Sequence, residues 1–254
     1  MTALLRWLLL AILTLWLILA PGSFAPLFQP FAPENGPVIY DRASLASLTV
    51  SHLGLVLLAM GPSVLLALSM ALLVTRPAGA EFLPLSRSLA NFGQTFPPVA
   101  VLALSVPLLG FGTWPTVLAL FLYGLLPVFE NALAGLQNVP DSVTLSARAM
   151  GMTPGQVMGR VELPLALPLI LEGVRISTVI ALSTATIGST VAARSLGEVI
   201  IAGLNTGNLA YVMQGGLLTG CLAVLIHDGF GLLIHITRKR AGMSPAATRQ
   251  PRDP

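Results

Sequence analysis

The sequence predicts an all-α, polytopic membrane protein with about six transmembrane helices, and three observations carry that prediction. Only 9% of the 254 residues are charged and 55% are hydrophobic. A soluble domain carries roughly 25% charged residues, so most of this surface does not face water. Apolar stretches recur at the length of roughly 20 residues that crosses a bilayer core about 30 Å thick. Runs such as Leu55 to Val74 are continuously apolar, whereas the strands of a membrane barrel alternate apolar and polar residues. With helices and closed barrels the only backbones that lipid tolerates, helices remain.

The spans read from Leu4 to Ala20, His52 to Val74, Leu89 to Leu109, Thr116 to Leu136, Pro168 to Ala192 and Leu209 to Ile236. Arg6 before an apolar run, with Ser23-Phe24-Ala25 after it, has the form of a signal peptide. Cleavage there would leave Pro26 first, so an uncleaved helix is expected. Prolines 21, 26, 30, 33 and 37 predict an extended external loop over residues 21–48. The chain thus divides into a first helix and Pro-rich loop (1–48), a transmembrane core (49–237) and a basic tail expected to be disordered (238–254).

Orientation follows the positive-inside rule. With the N-terminus cytoplasmic, the inner side receives Arg6, Arg76, Arg87, Arg148, Arg160, Arg238, Lys239, Arg240, Arg249 and Arg252. The outer side receives only Arg42 and Arg194, a ratio of ten to two. Both termini and the loop between spans four and five are therefore expected inside. The net charge of +3 is scattered or lies near membrane edges, which argues against nucleic acid. Cys221 is the only cysteine, so an intrachain disulfide and a cysteine metal cluster are excluded.

The segment from Asp141 to Pro164 is long for a loop between packed spans and reads as two short helices. Asp141 or Ser142, after Pro140, is placed to cap the first. Gly151 sits where that helix should stop, a position that favours positive φ. Thr153, Pro154 and Gln156 then form a start signal: cap, first helical residue and reciprocal partner of a capping box. Pro164 and Pro168 mark the start of span five.

This loop resembles the cytoplasmic loop E-A-A-x3-G-x9-I-x-L-P of bacterial ABC importer permeases. The chain reads Leu145-Ser146-Ala147, then Gly151, then Val161-Glu162-Leu163-Pro164 at the same spacing. Leu145 stands at the Glu position and Ser146 at the first Ala position, so the family's acidic contact does not carry over. The segments GQTFPPVAVLAL (Gly93 to Leu104), Ala149 to Gln156, VELPLALPLILEGVR (Val161 to Arg175) and TATIGSTVAARSLGEVIIAGLN (Thr184 to Asn205) are similar to osmoprotectant permeases. The branch is that for glycine betaine, choline and carnitine, nearest its YehW-type members, over roughly residues 50 to 235. Arg194-Ser195-Leu196-Gly197 departs from the Gly-Gly-Leu-Gly found in many relatives.

The resemblance implies a type I ABC importer permease fold. It places Leu145, Ser146, Ala147, Arg148, Gly151, Thr153, Pro154, Leu163 and Pro164 in a loop that couples to an ATPase. It also implies three partners besides membrane lipid: a cytoplasmic ABC ATPase dimer, a second permease copy or homologous permease, and a periplasmic substrate-binding protein. Lys239 is the only lysine and no G-x4-G-K-[ST] sequence exists, so ATP and Mg are expected on the partner ATPase and no cofactor on this chain.

Charges within spans suggest function by default. Glu130 is read as reaching the headgroups or capping a neighbouring helix, Glu172 and Arg175 as a structural pair, and His227 and Asp228 as interfacial. The hydroxyls of span five, among them Thr184, Thr186 and Ser189, serve either close helix packing or a hydrophilic path. Asn91, Gln94 and Thr95 precede Pro97-Pro98, which should kink or break span three, and are assigned to the transport path. Trp7, Trp16 and Trp114 fit interfacial anchors. A quaternary ammonium cage needs clustered aromatics and is expected on the separate binding protein.

The function expected is passage of an osmoprotectant such as glycine betaine, with amino acids or another small solute as alternative cargo. An ion-gradient transporter would need paired intramembrane carboxylates or internal repeats. An enzyme would need a nucleophile–base or metal-ligand cluster. Neither pattern is found, and no catalytic or metal residue is assigned.

Overall fold

The computed structural model describes residues 2–242. Residues 243–254, which hold Arg249, Arg252 and most of the tail expected to be disordered, lie outside the described residues. The helices are α1 (Thr2–Leu19), α2 (Ala25–Phe28), α3 (Leu45–Val74), α4 (Leu83–Phe92), α5 (Pro98–Leu109), α6 (Thr113–Gln137), α7 (Asp141–Ala149), α8 (Pro154–Val157), α9 (Leu163–Ala185), α10 (Gly197–Thr206) and α11 (Leu209–Arg240). Among the described residues four helices are long and apolar enough to cross a membrane: α3, α6, the continuous Pro154–Ala185 rod and α11. Two bent pairs, Leu4–Leu19 with Pro21–Phe31 at 107° and Ala80–Thr95 with Pro98–Leu109 at 93°, bring the number to six when each is counted as one span.

The core lies where α6 packs between α3 and α9, with α11 on the far side of α9. Lipid is as apolar as leucine, so helices associate in a bilayer through close van der Waals packing rather than hydrophobic gain. Small residues make that approach possible here. Ala59, Ala67 and Ala71 of α3, Ala132 of α6, and Ala166, Ala181 and Ala185 of α9 are fully buried around Phe129, Leu120 and Leu182. Gly173 lets α9 come so close to α6 that an added Cβ would lie 2.7 Å from Pro127 O and from the Asn131 Cβ. Prolines 62, 107, 127 and 168 lie within helices. The bonds they remove are tolerated where side chains take up the freed groups: Pro127 frees Tyr123 O, which accepts from Gln94 Nε2 at 3.3 Å.

Several boundaries differ from the sequence reading. α3 begins at Leu45, earlier than His52, because Ser44 caps it by accepting from Ser47 N. Residues 21–48 are not extended at their start, where α2 and two 3-10 turns, Pro21–Phe24 and Gln29–Phe31, follow one another. Each begins with proline in its first two positions, where the missing N–H costs nothing. Asp141 and Ser142 do not cap α7: Pro140 holds the N-cap position and Asp141 is the first helical residue, its carboxylate at the positive end of the helix. Span five is not a separate helix starting at Pro168. The chain runs from α8 through a π-turn, Met158–Glu162, straight into α9. That bulge accommodates Pro164, which lacks the donor a regular turn would use. The span ends at Ala185 rather than Ala192. Helix α10 was not expected, and α11 extends through Arg238, Lys239 and Arg240.

Gly173→Val should therefore destabilise the protein by about 1–3 kcal/mol through overpacking. Thermal unfolding in detergent reads this as a lowered Tm. Gly54→Ala, with no atom near its Cβ, should leave Tm unchanged or raise it.

Candidate functional site

Two regions hold the residues singled out by sequence. The first is the elbow formed by α7 and α8. Helix α7 ends in a Schellman motif on Gly151 at φ 82°: Gly151 N donates to Arg148 O at 2.9 Å and Met152 N to Ala147 O at 3.2 Å. The predicted capping box forms, with Thr153 N donating to Gln156 Oε1 at 2.9 Å and Gln156 N to Thr153 Oγ1 at 3.4 Å. Ala147 and Val157 are buried where α7 meets α8 and the π-turn. The rest of α7 is open: Leu145, Ser146 and Arg148 are exposed, as are Val143 and Met150. Thr153, Pro154 and Pro164 are exposed and Leu163 is half-buried. At the base of the elbow Arg76, just past α3, pairs with Glu162 of the π-turn.

The second region is the break between α4 and α5. Asn91, Gln94 and Thr95 are exposed there, and the chain turns at Phe96-Pro97. Thr95 Oγ1 donates to Phe92 O at 2.7 Å, Gln94 Nε2 to Tyr123 O at 3.3 Å, and Tyr123 OH to Phe96 O. Thr184, Thr186 and Ser189 lie elsewhere, half-buried at the end of α9 and in the 3-10 turn Ile187–Val191. Ser189 Oγ bonds Ala193 O at 3.0 Å and lies 2.8 Å from Ser195 Oγ, and Thr186 Oγ1 donates to Ser183 O at 2.7 Å. That turn faces Thr116, since a Cβ on Gly188 would meet Thr116 Oγ1 at 2.7 Å. Thr116 precedes Tyr123 by seven residues on α6, about 10 Å along the axis. The two polar groups therefore sit at different levels rather than in one site.

The charges singled out within the spans pair. Glu172 and Arg175 bond within α9 as expected. Asp228 lies 3.3 Å from Arg6 Nη2 and 3.2 Å from His227 Nδ1, so the adjacent His227 and Asp228 do meet. Trp7 Nε1 donates to Leu225 O at 2.8 Å and Trp16 stacks edge-on against Phe24 at 5.1 Å. Sequence reasoning missed the lock at the other end of the bundle. Gln214, fully buried, accepts from Tyr40 N at 3.1 Å and donates to Val38 O at 2.7 Å; Asn208 Nδ2 donates to Pro37 O at 2.8 Å. Burial, together with its bond to Glu198 at 2.8 Å, raises the Tyr40 phenol above its usual range. It also missed the pairing of Glu130 with Arg87, whose Nε and Nη2 reach the carboxylate at 2.6 and 3.0 Å. The available signal was Arg87, Asn91 and Gln94 at i, i+4 and i+7, one face of a helix.

Spanning helices broken at Pro97 and after Ala185, with an exposed helical elbow continuous with a spanning rod, define the membrane component of a transporter. The family described as binding-protein-dependent transport system inner membrane component matches residues 63–234, and the chain belongs to it. It is 37% identical over 185 residues to the osmoprotectant import permease protein OsmY of Salmonella typhimurium, covering 73% of this chain and 78% of that one. It is 36% identical over 179 residues to the choline transport system permease protein OpuBB of Bacillus subtilis, covering 70% and 81%. A solved structure of the MetNI methionine ABC transporter, in an inward-facing conformation, matches with a TM-score of 0.68 at 20% identity. That match covers 76% of this chain and 95% of the other, and the likeness is one of fold: the type I permease fold that the loop resemblance implies. Family membership makes the chain a multi-pass inner-membrane transport component rather than an enzyme. It also implies an ATPase and a substrate-binding protein as partners.

Removing one partner of a largely buried ion pair leaves the other uncompensated, a cost above about 1.4 kcal/mol or tenfold in a local opening equilibrium. Arg76→Ala should accordingly raise protease cleavage in the elbow by about tenfold, and the exchanged pair Arg76→Glu with Glu162→Arg should restore protection.

Proposed function

We propose that this chain is the membrane-spanning permease subunit of an ATP-driven importer of an osmoprotectant such as glycine betaine. One observation carries the coupling role: α7 is an open helix that packs chiefly on α8 and the π-turn, and both continue without a break into α9. A displacement of α7 is therefore transmitted along a spanning rod. Val143 and the C-cap Met150, seven apart, are exposed on one side of α7 and Leu145 on the other. The helix thus offers apolar surface on two sides to the groove of a partner, which replaces the family's acidic contact by burial. On this reading Leu145, Ser146, Ala147, Arg148, Gly151, Thr153, Pro154, Leu163 and Pro164 form the ATPase-coupling loop. Both termini and this loop are cytoplasmic, in keeping with the ten-to-two bias of positive charge.

ATP and Mg belong to a separate ATPase dimer, and a periplasmic binding protein delivers cargo to a pair of permeases, a second copy or a homologue. The pair alternates between inward-open and outward-open states, biased by ATP and by the loaded binding protein. Asn91, Gln94 and Thr95 at the break, with Thr184, Thr186 and Ser189 at a second level, contribute to the path. The cargo assignment is supported by relatives whose names are osmoprotectant and choline permeases. An amino acid or other small solute is the second reading, supported by the methionine transporter fold.

Radiolabelled glycine betaine uptake, with the chain expressed beside its ATPase and binding protein, tests the function. Uptake should vanish when the ATPase is inactivated; uptake that survives and follows an ion gradient would overturn it. Leu145→Asp should lower uptake about tenfold with unchanged membrane insertion, since a charge facing an apolar groove costs about 1.4 kcal/mol or more. Deleting residues 141–152 should abolish it.

A further inference from the structure

Helix α4 presents three faces. Ser86, Ala90 and Gly93 are buried, with Gly93 against the backbone of Leu122 on α6. Leu85, Leu89 and Phe92 are more than half exposed and wholly apolar, as a lipid or protein contact requires. Arg87, Asn91 and Gln94 are exposed on the side opposite the apolar face, because positions two apart on a helix point about 200° apart. Across from them α6 sets Tyr123, Glu130 and Gln137 on one line at seven-residue spacing. The Arg87 and Glu130 side chains keep 53% and 37% of their surface open while forming a two-pronged bond. An open ion pair flanked by Asn, Gln and a broken backbone is costly against lipid and is stable against water.

We propose that this face is water-filled and that Arg87–Glu130 is a charge-exchange gate across it, opened by a zwitterion bearing a carboxylate and a quaternary ammonium. The cargo class rests on the function proposed above. The guanidinium fork that now grips Glu130 offers the same two donors to a cargo carboxylate. Glu130, released, balances the cation, which has no N–H to donate and needs only charge and an open approach. One ion pair becomes two, so neither protein charge is left alone while the gate is open. Pairs this exposed are weakly held in water, so the exchange meets little resistance. Arg87 lies on the Ala80–Thr95 side of the bend at Pro97, so the pair ties that half of the bent unit to α6.

The complex with its ATPase and binding protein, in a Cys221→Ser background, provides the test. Asn91→Cys and Gln94→Cys should react with a membrane-impermeant trimethylammonium thiosulfonate at least about tenfold faster than Leu108→Cys, which is 86% exposed but apolar. Adding Arg87→Gln should speed reaction at position 94 about threefold, and Arg87→Glu with Glu130→Arg should slow it again. Equal rates at 91, 94 and 108 would overturn the water-filled face whatever the cargo. Uptake of glycine betaine is then measured for Arg87→Gln, Glu130→Gln and the double variant, with the amount of inserted chain determined for each. Exchange predicts losses of about tenfold for each single change and about a hundredfold for the double, because each end of the cargo loses its counter-charge. A structural tie predicts the reverse, a double variant at least as active as either single, since it removes the unpaired charge. A wild-type complex that moves no glycine betaine would overturn the cargo and the zwitterion exchange, while the labelling rates decide the water-filled face independently.

Discussion

The close approach of α6 to α3 and α9 sets the positions of everything else in this bundle. In a bilayer, burying leucine against leucine gains little over leaving it in lipid, so helices must touch backbone to backbone to associate. Gly173 against Pro127 and Val128, Gly135 against Ala166, and the alanines of α3 and α9 make that contact possible. Larger side chains then fill the remaining depth, Phe129 and Leu120 from α6 and Leu182 from α9. With α9 fixed in this way, α8 and the π-turn are fixed as its continuation, and α7 is held out from the bundle as an elbow.

Backbone breaks are the second constraint, because a broken helix in lipid exposes groups that only the protein can satisfy. Each break here carries its own partners. Tyr123 OH donates to Phe96 O at the bend of the α4–α5 pair. After α9, Ser195 Oγ donates to Ala185 O at 3.0 Å and accepts from Gly197 N at 3.1 Å, which bridges the end of one helix to the start of α10. Residues 37–40, which follow the Pro-rich turns, are bonded to Gln214 and Asn208 in the same manner. These partners are side chains rather than helix ladders, and such bonds are more readily exchanged in a transport cycle than a regular helix is melted.

Charge is spent sparingly and joins elements that packing alone leaves loose. Arg6–Asp228 ties α1 to α11, Arg76–Glu162 ties the end of α3 to the elbow, and Arg87–Glu130 ties α4 to α6. Glu172–Arg175 and His227–Asp228 each lie within one helix. In the family of binding-protein-dependent permeases this arrangement fits the work required. The well-packed centre is continuous with the elbow through the Pro154–Ala185 rod, and the outlying helices are held by bonds that water and ions can compete for.

By itself the sequence determined the class of the protein, because composition and apolar run length answer directly to the bilayer. Local chemistry was legible too. Gly151 at positive φ, the capping box of Thr153 and Gln156, and the break at Pro97 each depend on a few adjacent residues. The capping of α7 by Asp141 or Ser142 was not, since Pro140 took that position. Fusion of α8 with α9 was hidden because a π-turn accommodates a proline that normally stops a helix. Only the tertiary structure decided which distant residues meet: Tyr40 with Glu198, Gln214 with Val38, Arg87 with Glu130. It also separated Asn91, Gln94 and Thr95 from Thr184, Thr186 and Ser189. Sequence spacing fixes the face of a helix a residue occupies, whereas its height and partner across the bundle depend on how the helices pack against one another.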